Sequence, residues 1–237
     1  MQSKQADGGS TDRQDQIYYA HAGALTFLRR ISYRARRSVV EHFLELVKPT
    51  PDTTLLDVGT SDEVGIESNM LEQLYPYPKG ITCASITEGS SIVAAYPGVR
   101  HVRIVPHQPL PFGDGEFDVG YSNAVLEHVG SRDSQRSFLK ELSRVCRRLF
   151  IVVPNPGFPV EHHTGLPFVH WLPSAAFRAI LGVSPWRHWA SEENLNHISA
   201  NELRAVWPRE AQPTILYHGL GVGALKSNLI AHDMDVQ

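Results

Sequence analysis

The sequence predicts an α/β fold: a doubly wound, mostly parallel seven-stranded sheet with an antiparallel edge hairpin and an inserted lid. Three observations predict it. Short apolar runs alternate with helical patterns between residues 53 and 153, as parallel strands joined by helical crossovers do. Those runs are nearly continuous in apolar residues, which suits strands covered on both faces. After Pro156 the rhythm stops, and two more strand-like runs close the chain.

Residues 1–16, "MQSKQADGGSTDRQDQ", are polar and lack the apolar stretch of a signal peptide; they read as a solvated, disordered tail. A single domain is expected over 17–237, opening with a helix over 17–48. Val39, Val40, Phe43, Leu44 and Val47 repeat at the spacing of one helical face. Upstream, Arg29, Arg30, Arg34, Arg36 and Arg37 crowd together, as a solvated face or a seat for an acidic group. Pro49 and Pro51 end the helix.

The core follows over 49–156. "TTLLDV", "GITCASI", "VRHVRIV", "FDVGYSNAV" and "LFIVV" read as its five strands. "ESNMLEQLY" and "SSIVAAY" read as short helices between them. The pattern of "SRDSQRSFLKELSRVCRR" predicts a longer helix with Phe138, Leu139, Leu142, Val145 and Cys146 on one face. A lid insertion spans 157–208, rich in Pro, His, Trp and Phe; within it Ser199 and Glu202 form a capping box. "TILYHGL" and "SNLIAH" make a C-terminal hairpin within 209–237.

Composition narrows the function. A net charge of -3 gives no reason to expect nucleic acid as a partner. No apolar run is long enough for stable membrane insertion, so a cytoplasmic location is expected. The two cysteines, Cys83 and Cys146, sit in apolar contexts and read as buried thiols.

The loop "LLDVGTSDE" is the first candidate site. In a doubly wound sheet the first strand and its following turn meet the ligand. Gly59 lets backbone approach closely, Thr60 and Ser61 offer hydroxyls and amides, and Asp57 accepts hydrogen bonds. The stretch lacks G-x-G-x-x-G and a phosphate-binding Lys, so the loop suits a ligand without phosphates. That argues against a nicotinamide-dependent oxidoreductase.

"LLDVGTS", "LPFGDGEFDVGYSNAVLEHVG" and "FLKELSRVCRRLFIVVPNP" together resemble a class I S-adenosylmethionine-dependent methyltransferase of the type 11 group, with its Rossmann-like fold. Leu110, Pro111, Phe112, Asp114, Phe117, Asp118, Leu126, Glu127 and His128 follow that family's pattern in order. The resemblance implies S-adenosyl-L-methionine as cofactor. It implies that Asp57, Gly59, Thr60 and Ser61 hold the methionine end, with Leu110, Ser122, Asn123 and Ala124 also lining the site. Where the family places an acid for the ribose, this chain has Ser85, with Glu88 three residues on. Near the adenine, His107 or Gln108 stands in for the family's Gly-Asp. In the lid, "FPVEHHTGLPFVHWLP" with "SEENLNHIS" resembles a bacterial subgroup of this family.

Methyl transfer to an oxygen of a small molecule or glycoconjugate needs a proton acceptor. His128, His163 and His162 are the candidates, with Glu161 and His170 beside them. No metal site is expected, because Glu161, His162, His163 and His170 share one Pro-interrupted loop without ligand periodicity. A non-catalytic binding or scaffold protein is the alternative, motivated by Ser85 and the thin glycine loop.

Overall fold

The computed structural model describes residues 26–65 and 68–234, with side chains from residue 33 onward. The expected tail, the start of the first helix and the side chains of Arg29 and Arg30 lie outside those residues. Seven strands form one sheet: β1 (Leu55–Val58), β2 (Ile81–Ser85), β3 (Arg100–Arg103), β4 (Phe117–Asn123), β5 (Cys146–Pro154), β6 (Thr214–His218) and β7 (Asn228–His232). Their order is β3-β2-β1-β4-β5-β7-β6. The first five run parallel, and β7 is antiparallel to both β5 and β6. Strand order therefore reverses between β1 and β4, and ligands of such sheets bind in the crevice beyond the carboxyl ends at that point.

Successive residues of a strand face opposite sides, and both sides are apolar here. Leu55, Val119 and Phe150 pack under Val39, Val40 and Phe43 of α1 (Thr26–Val47). Leu56, Val58, Leu149 and Ile151 pack under Leu139 and Leu142 of α4 (Arg132–Val145) and Leu203 of α6 (Ala200–Val206). Two short helices, α2 (Met70–Leu74) and α3 (Ser90–Ala95), join β1 to β2 and β2 to β3. α4 starts at Ser131, whose side chain accepts the Ser134 amide; such caps contribute about 1 kcal/mol.

Two boundaries differ from the sequence reading. Cys146 opens β5 instead of continuing α4, because the chain passes from Val145 into the sheet without a loop. And α6, expected inside the lid, packs in the main core through Leu203 and Val206. The inserted segment before it has its own small core of Phe177, Leu181 and Leu195, with Trp186 and Trp189 against it. Phe177 and Leu181 belong to α5 (Ser174–Gly182). The Ser199–Glu202 capping box forms as its spacing implies. Both cysteines are free and buried. Among the described residues no helix is long and apolar enough to cross a membrane.

Candidate active site

The β1 turn is held rigidly. Gly59 adopts φ +99°, and a Cβ there would stand 2.1 Å from Val125 Cγ2. The loop after β4 thus leaves no room for a side chain. Asn69 accepts the Ser61 amide through its side-chain oxygen and donates to the Ser61 carbonyl. Asp62 accepts the amides of Ser91 and Ile92 and so caps α3 from a distance.

Beneath this turn lies a set of buried polar groups without full partners. Thr60 Oγ1, Tyr121 Oη and Glu72 Oε2 have no partner in good hydrogen-bond geometry among the described residues, although Cys83, Asn123 and Asp57 lie beside them. Asp57 is buried beside them, and its carboxyl is raised well above its usual range, first by burial and then by the Glu72 carboxylate. Glu72 Oε1 accepts from the Cys83 thiol at 3.1 Å. Tyr121 is pushed up by burial, Asp57 and Glu72, and drawn back first by the Asn123 side chain and then by Arg36 of α1. Buried polar groups are normally hydrogen-bonded, so this group beside a positive-φ glycine is a candidate ligand seat. At the end of β4, Ala124 sits at φ +57°, a conformation that is strained for a residue with a Cβ.

A second cluster gathers histidines from three separate segments. His128 ends the turn after β4, and its Nδ1 lies 2.6 Å from the Asn194 carbonyl. His163 Nε2 stands 3.1 Å from His128 Nε2, and His163 Nδ1 stands 2.8 Å from Glu161 Oε1. His197 Nε2 reaches the same Glu161 oxygen at 3.2 Å, and the amides of His163 and Thr164 donate to Glu161 Oε2. Burial alone would raise the Glu161 carboxyl. Hydrogen bonds from His163 and His197 hold it well below its usual range. His128 is lowered, chiefly by burial. The Trp189 ring packs against both imidazoles, with centroids 5.5 Å from His128 and 4.9 Å from His163. Glu127 is buried beside them, and neither carboxylate oxygen has a hydrogen-bond partner among the described residues.

Side chains of the 126–130 turn and the start of α4 fix this arrangement. Gln135 donates to the carbonyls of Leu126 and Asn196. Asn196 returns its amide to Glu127 and its side chain to Gly130. Arg132 clasps Glu202 and the His197 carbonyl.

The structure brings some candidate residues together and separates others. Asp57, Gly59, Thr60, Ser61, Asn123 and Ala124 lie at the carboxyl ends of β1 and β4. Ser122 is there too, but its hydroxyl donates to the Val58 carbonyl and ties β4 to β1. The Ser85 hydroxyl is engaged with Thr87 and with His101, a residue of β3 that the sequence reading missed. Glu88 turns outward and pairs with Arg103. His107 and Gln108 are exposed; His107 lines a cleft of about 350 Å³ with Val129, Gly130, Ser131, Ser134 and Glu193. The Leu110 side chain is in the core, and its amide donates to Glu141, one turn before α4 enters the amino end of β5. The His162 side chain is exposed at the surface and lies tilted against the Phe158 ring; its imidazole pKa is lowered to about 4, first by the surrounding protein and then by the neighbouring His163. Glu127 and His197 are the site residues to which the sequence gave no role. Glu127 stood in the family pattern beside His128 without a task of its own, and His197 was a lone His in "NLNHIS".

Residues 56–151 match the family model described as a methyltransferase domain. No curated protein matches the sequence. Among solved structures, an S-adenosylmethionine-dependent methyltransferase of Thermotoga maritima is similar at TM-score 0.56 and 13% identity, over 93% of this chain and 97% of that one. Magnesium protoporphyrin IX methyltransferase of Synechocystis PCC 6803, with bound S-adenosylhomocysteine, is similar at 0.53 and 16%, over 94% and 97%. The N-methyltransferase NodS of Bradyrhizobium japonicum, in complex with S-adenosylhomocysteine, is similar at 0.50 and 13%, over 84% and 85%.

Proposed function

We propose that the class I methyltransferase domain carried by residues 56–151 uses S-adenosyl-L-methionine to methylate an oxygen of a small molecule or glycoconjugate. The observation that carries the cofactor reading is the set of incompletely partnered buried groups at the point where strand order reverses: Thr60 Oγ1, Tyr121 Oη and Glu72 Oε2, around Gly59 and Asp57. Asp57 would receive the ammonium of the methionine end, and the 59–61 backbone its carboxylate. The exposed apolar side chains of Ile86 and Val105, just past β2 and β3, and the cleft beside His107 offer room for the adenine. S-adenosylmethionine supplies a methyl group on a cationic sulfur, which departs as a neutral thioether when a nucleophile attacks.

The chain's own residues then have two tasks. Val160, Phe168 and Trp171 and the lid core exclude water from the crevice, as in-line displacement requires. His128 and His163 act on the acceptor hydroxyl, whose proton must leave as its oxygen takes the methyl. This reading favours oxygen because an imidazole pair backed by the Glu161 carboxylate suits a weakly acidic acceptor.

One observation favours the alternative of a non-catalytic binding or scaffold protein. The Ser85 hydroxyl is already bonded, and Glu88 is turned to Arg103, so no free acid stands at the ribose position. Titration calorimetry with S-adenosylmethionine and S-adenosylhomocysteine separates the two. Micromolar binding, with label transfer from methyl-labelled donor to a hydroxylated acceptor, supports the enzyme. Absence of binding at millimolar cofactor leaves the scaffold.

A further inference from the structure

We propose that Glu127, His128 and His163 form a binding site for one divalent cation of the zinc or ferrous class. The argument starts from where the imidazole protons are. A carbonyl oxygen only accepts, so His128 Nδ1, at 2.6 Å from the Asn194 carbonyl, carries the hydrogen. Glu161 accepts from two imidazoles and two backbone amides. It is an ionised acceptor, so His163 Nδ1 also carries its hydrogen. In the neutral rings both Nε2 atoms are then bare lone pairs, and they face each other at 3.1 Å. Two lone pairs at that distance repel unless a proton or a cation lies between them.

Glu127 makes the choice. Its carboxylate is buried, with both oxygens lacking a hydrogen-bond partner among the described residues. One oxygen is 3.8 Å from His128 Nε2. One atom each from Glu127, His128 and His163 lies within 4.8 Å of the others. A zinc ion about 2.0–2.1 Å from each donor sets tetrahedral ligands roughly 3.3 Å apart, so the cluster needs only small movements to close. Burying a charged carboxylate without a partner is costly, and a cation removes that cost as it removes the clash of lone pairs.

The surroundings fit. Ligating histidines usually donate their other N–H to a carbonyl or carboxylate, and here Asn194 and Glu161 take those parts. Glu161 is a supporting acceptor and not a ligand, because its oxygens are already engaged. Two nitrogens and one carboxylate favour zinc or iron over magnesium or calcium, which want oxygen. Three protein ligands leave positions open, and the His128 side chain, 30% exposed, gives a way in. The sequence concealed the site because its ligands come from residues 127–128 and 163, not from one loop. Its role rests on the methyl-transfer reading and replaces direct proton acceptance by the two imidazoles, whose Nε2 lone pairs the cation takes: an acceptor hydroxyl bound at an open position would give up its proton to water more readily.

The test uses the whole chain, stripped with a chelator and titrated calorimetrically with zinc chloride, with cobalt(II) as a spectroscopic probe. One equivalent should bind at micromolar affinity or tighter, and cobalt should give the intense visible bands of a tetrahedral site. The isosteric Glu127→Gln and His163→Ala should each weaken binding at least tenfold, with circular dichroism unchanged for Glu127→Gln. His162→Ala should leave stoichiometry intact. Binding weaker than millimolar, or undiminished in Glu127→Gln, overturns the proposal and leaves a proton shared between the two imidazoles. Cofactor titrations on the same stripped protein keep the two readings apart. Methyl transfer without metal removes the cation alone, whereas metal binding without cofactor binding removes the methyltransferase reading alone.

Discussion

Asp57 is a carboxyl whose charged form its surroundings disfavour, and a cationic ligand would reverse that preference. Burial and the neighbouring Glu72 raise its carboxyl well above the usual range. An ammonium arriving there favours the ionised form and pulls that value down. Between the bound and free values, cofactor binding therefore releases a proton. Affinity rises with pH until it passes the free value and is flat above it. Calorimetry in buffers of different ionisation enthalpy should detect this release in the wild type and lose it in Asp57→Asn. The variant also gives up a charge-assisted hydrogen bond of roughly 1.5–3 kcal/mol, or about tenfold and upward in affinity. Equal proton release in Asp57→Asn would place the ammonium elsewhere. His163 makes its contacts with Glu161, His128 and Trp189 and not with these groups, so His163→Ala should leave cofactor affinity within about twofold. Activation of an acceptor contributes roughly 10²–10⁴-fold, so its turnover should fall at least tenfold. A loss under threefold would make His163 a bystander. Of these residues, Asp57 and His163 were legible because strand ends and His-rich loops draw attention. Glu127 was not, because burial without a partner is a property of the folded chain.

The two loops that close the crevice, after β1 and after β4, fit one another side chain to backbone. Gly59 at φ +99° faces Val125, whose Cγ2 fills the place a Cβ would take. The sequence reading ascribed the glycine to ligand approach; the structure adds contact between loops. Gly59→Ala should therefore destabilise the protein without any ligand, by roughly 1–3 kcal/mol for a strained backbone plus the clash. Val125→Ala should recover part of that loss. Denaturant unfolding of the double-mutant cycle measures the coupling, expected at 0.5 kcal/mol or more. Additive effects would show that backbone strain alone accounts for the glycine. Elements were otherwise legible wherever hydrophobic period decided them. β1, β2, β4 and β5 are apolar runs, and α4 carries Leu139, Leu142 and Val145 three residues apart. The end of α4 was missed because Val145 and Cys146 are both apolar and buried, and period cannot separate a helix's last turn from a strand's first residue.

At the scale of the molecule, two cores of different size determine how it moves. The sheet is sandwiched between α1 on one face and α4 with α6 on the other, in two large clusters of fully buried side chains. The inserted segment has a satellite core with only Phe177, Leu181 and Leu195 buried, and exposes Phe168, Trp171, Leu172, Ile180 and Val183. Pro and aromatic content made this insertion visible in the sequence, while its boundary with α6 depended on packing against α4. Stability within a protein varies with local packing, so α5 and its neighbours should open together well before the sheet. Native-state hydrogen exchange should show one cooperative opening for amides between about 169 and 195, at a free energy several kcal/mol below the β1, β4 and β5 amides. Leu181 has no exposed surface, and truncating such a side chain costs about 2–5 kcal/mol. In Leu181→Ala that cost should fall on the satellite core, stripping protection from α5 while the strand amides keep theirs. His128 and His163 are held on this side by Trp189 and the Asn194 carbonyl, so the same opening exposes the imidazole pair to incoming acceptor. If Leu181→Ala lowers protection equally in α5 and in β4, the segment is part of the main cooperative unit, and the crevice must be entered by another route.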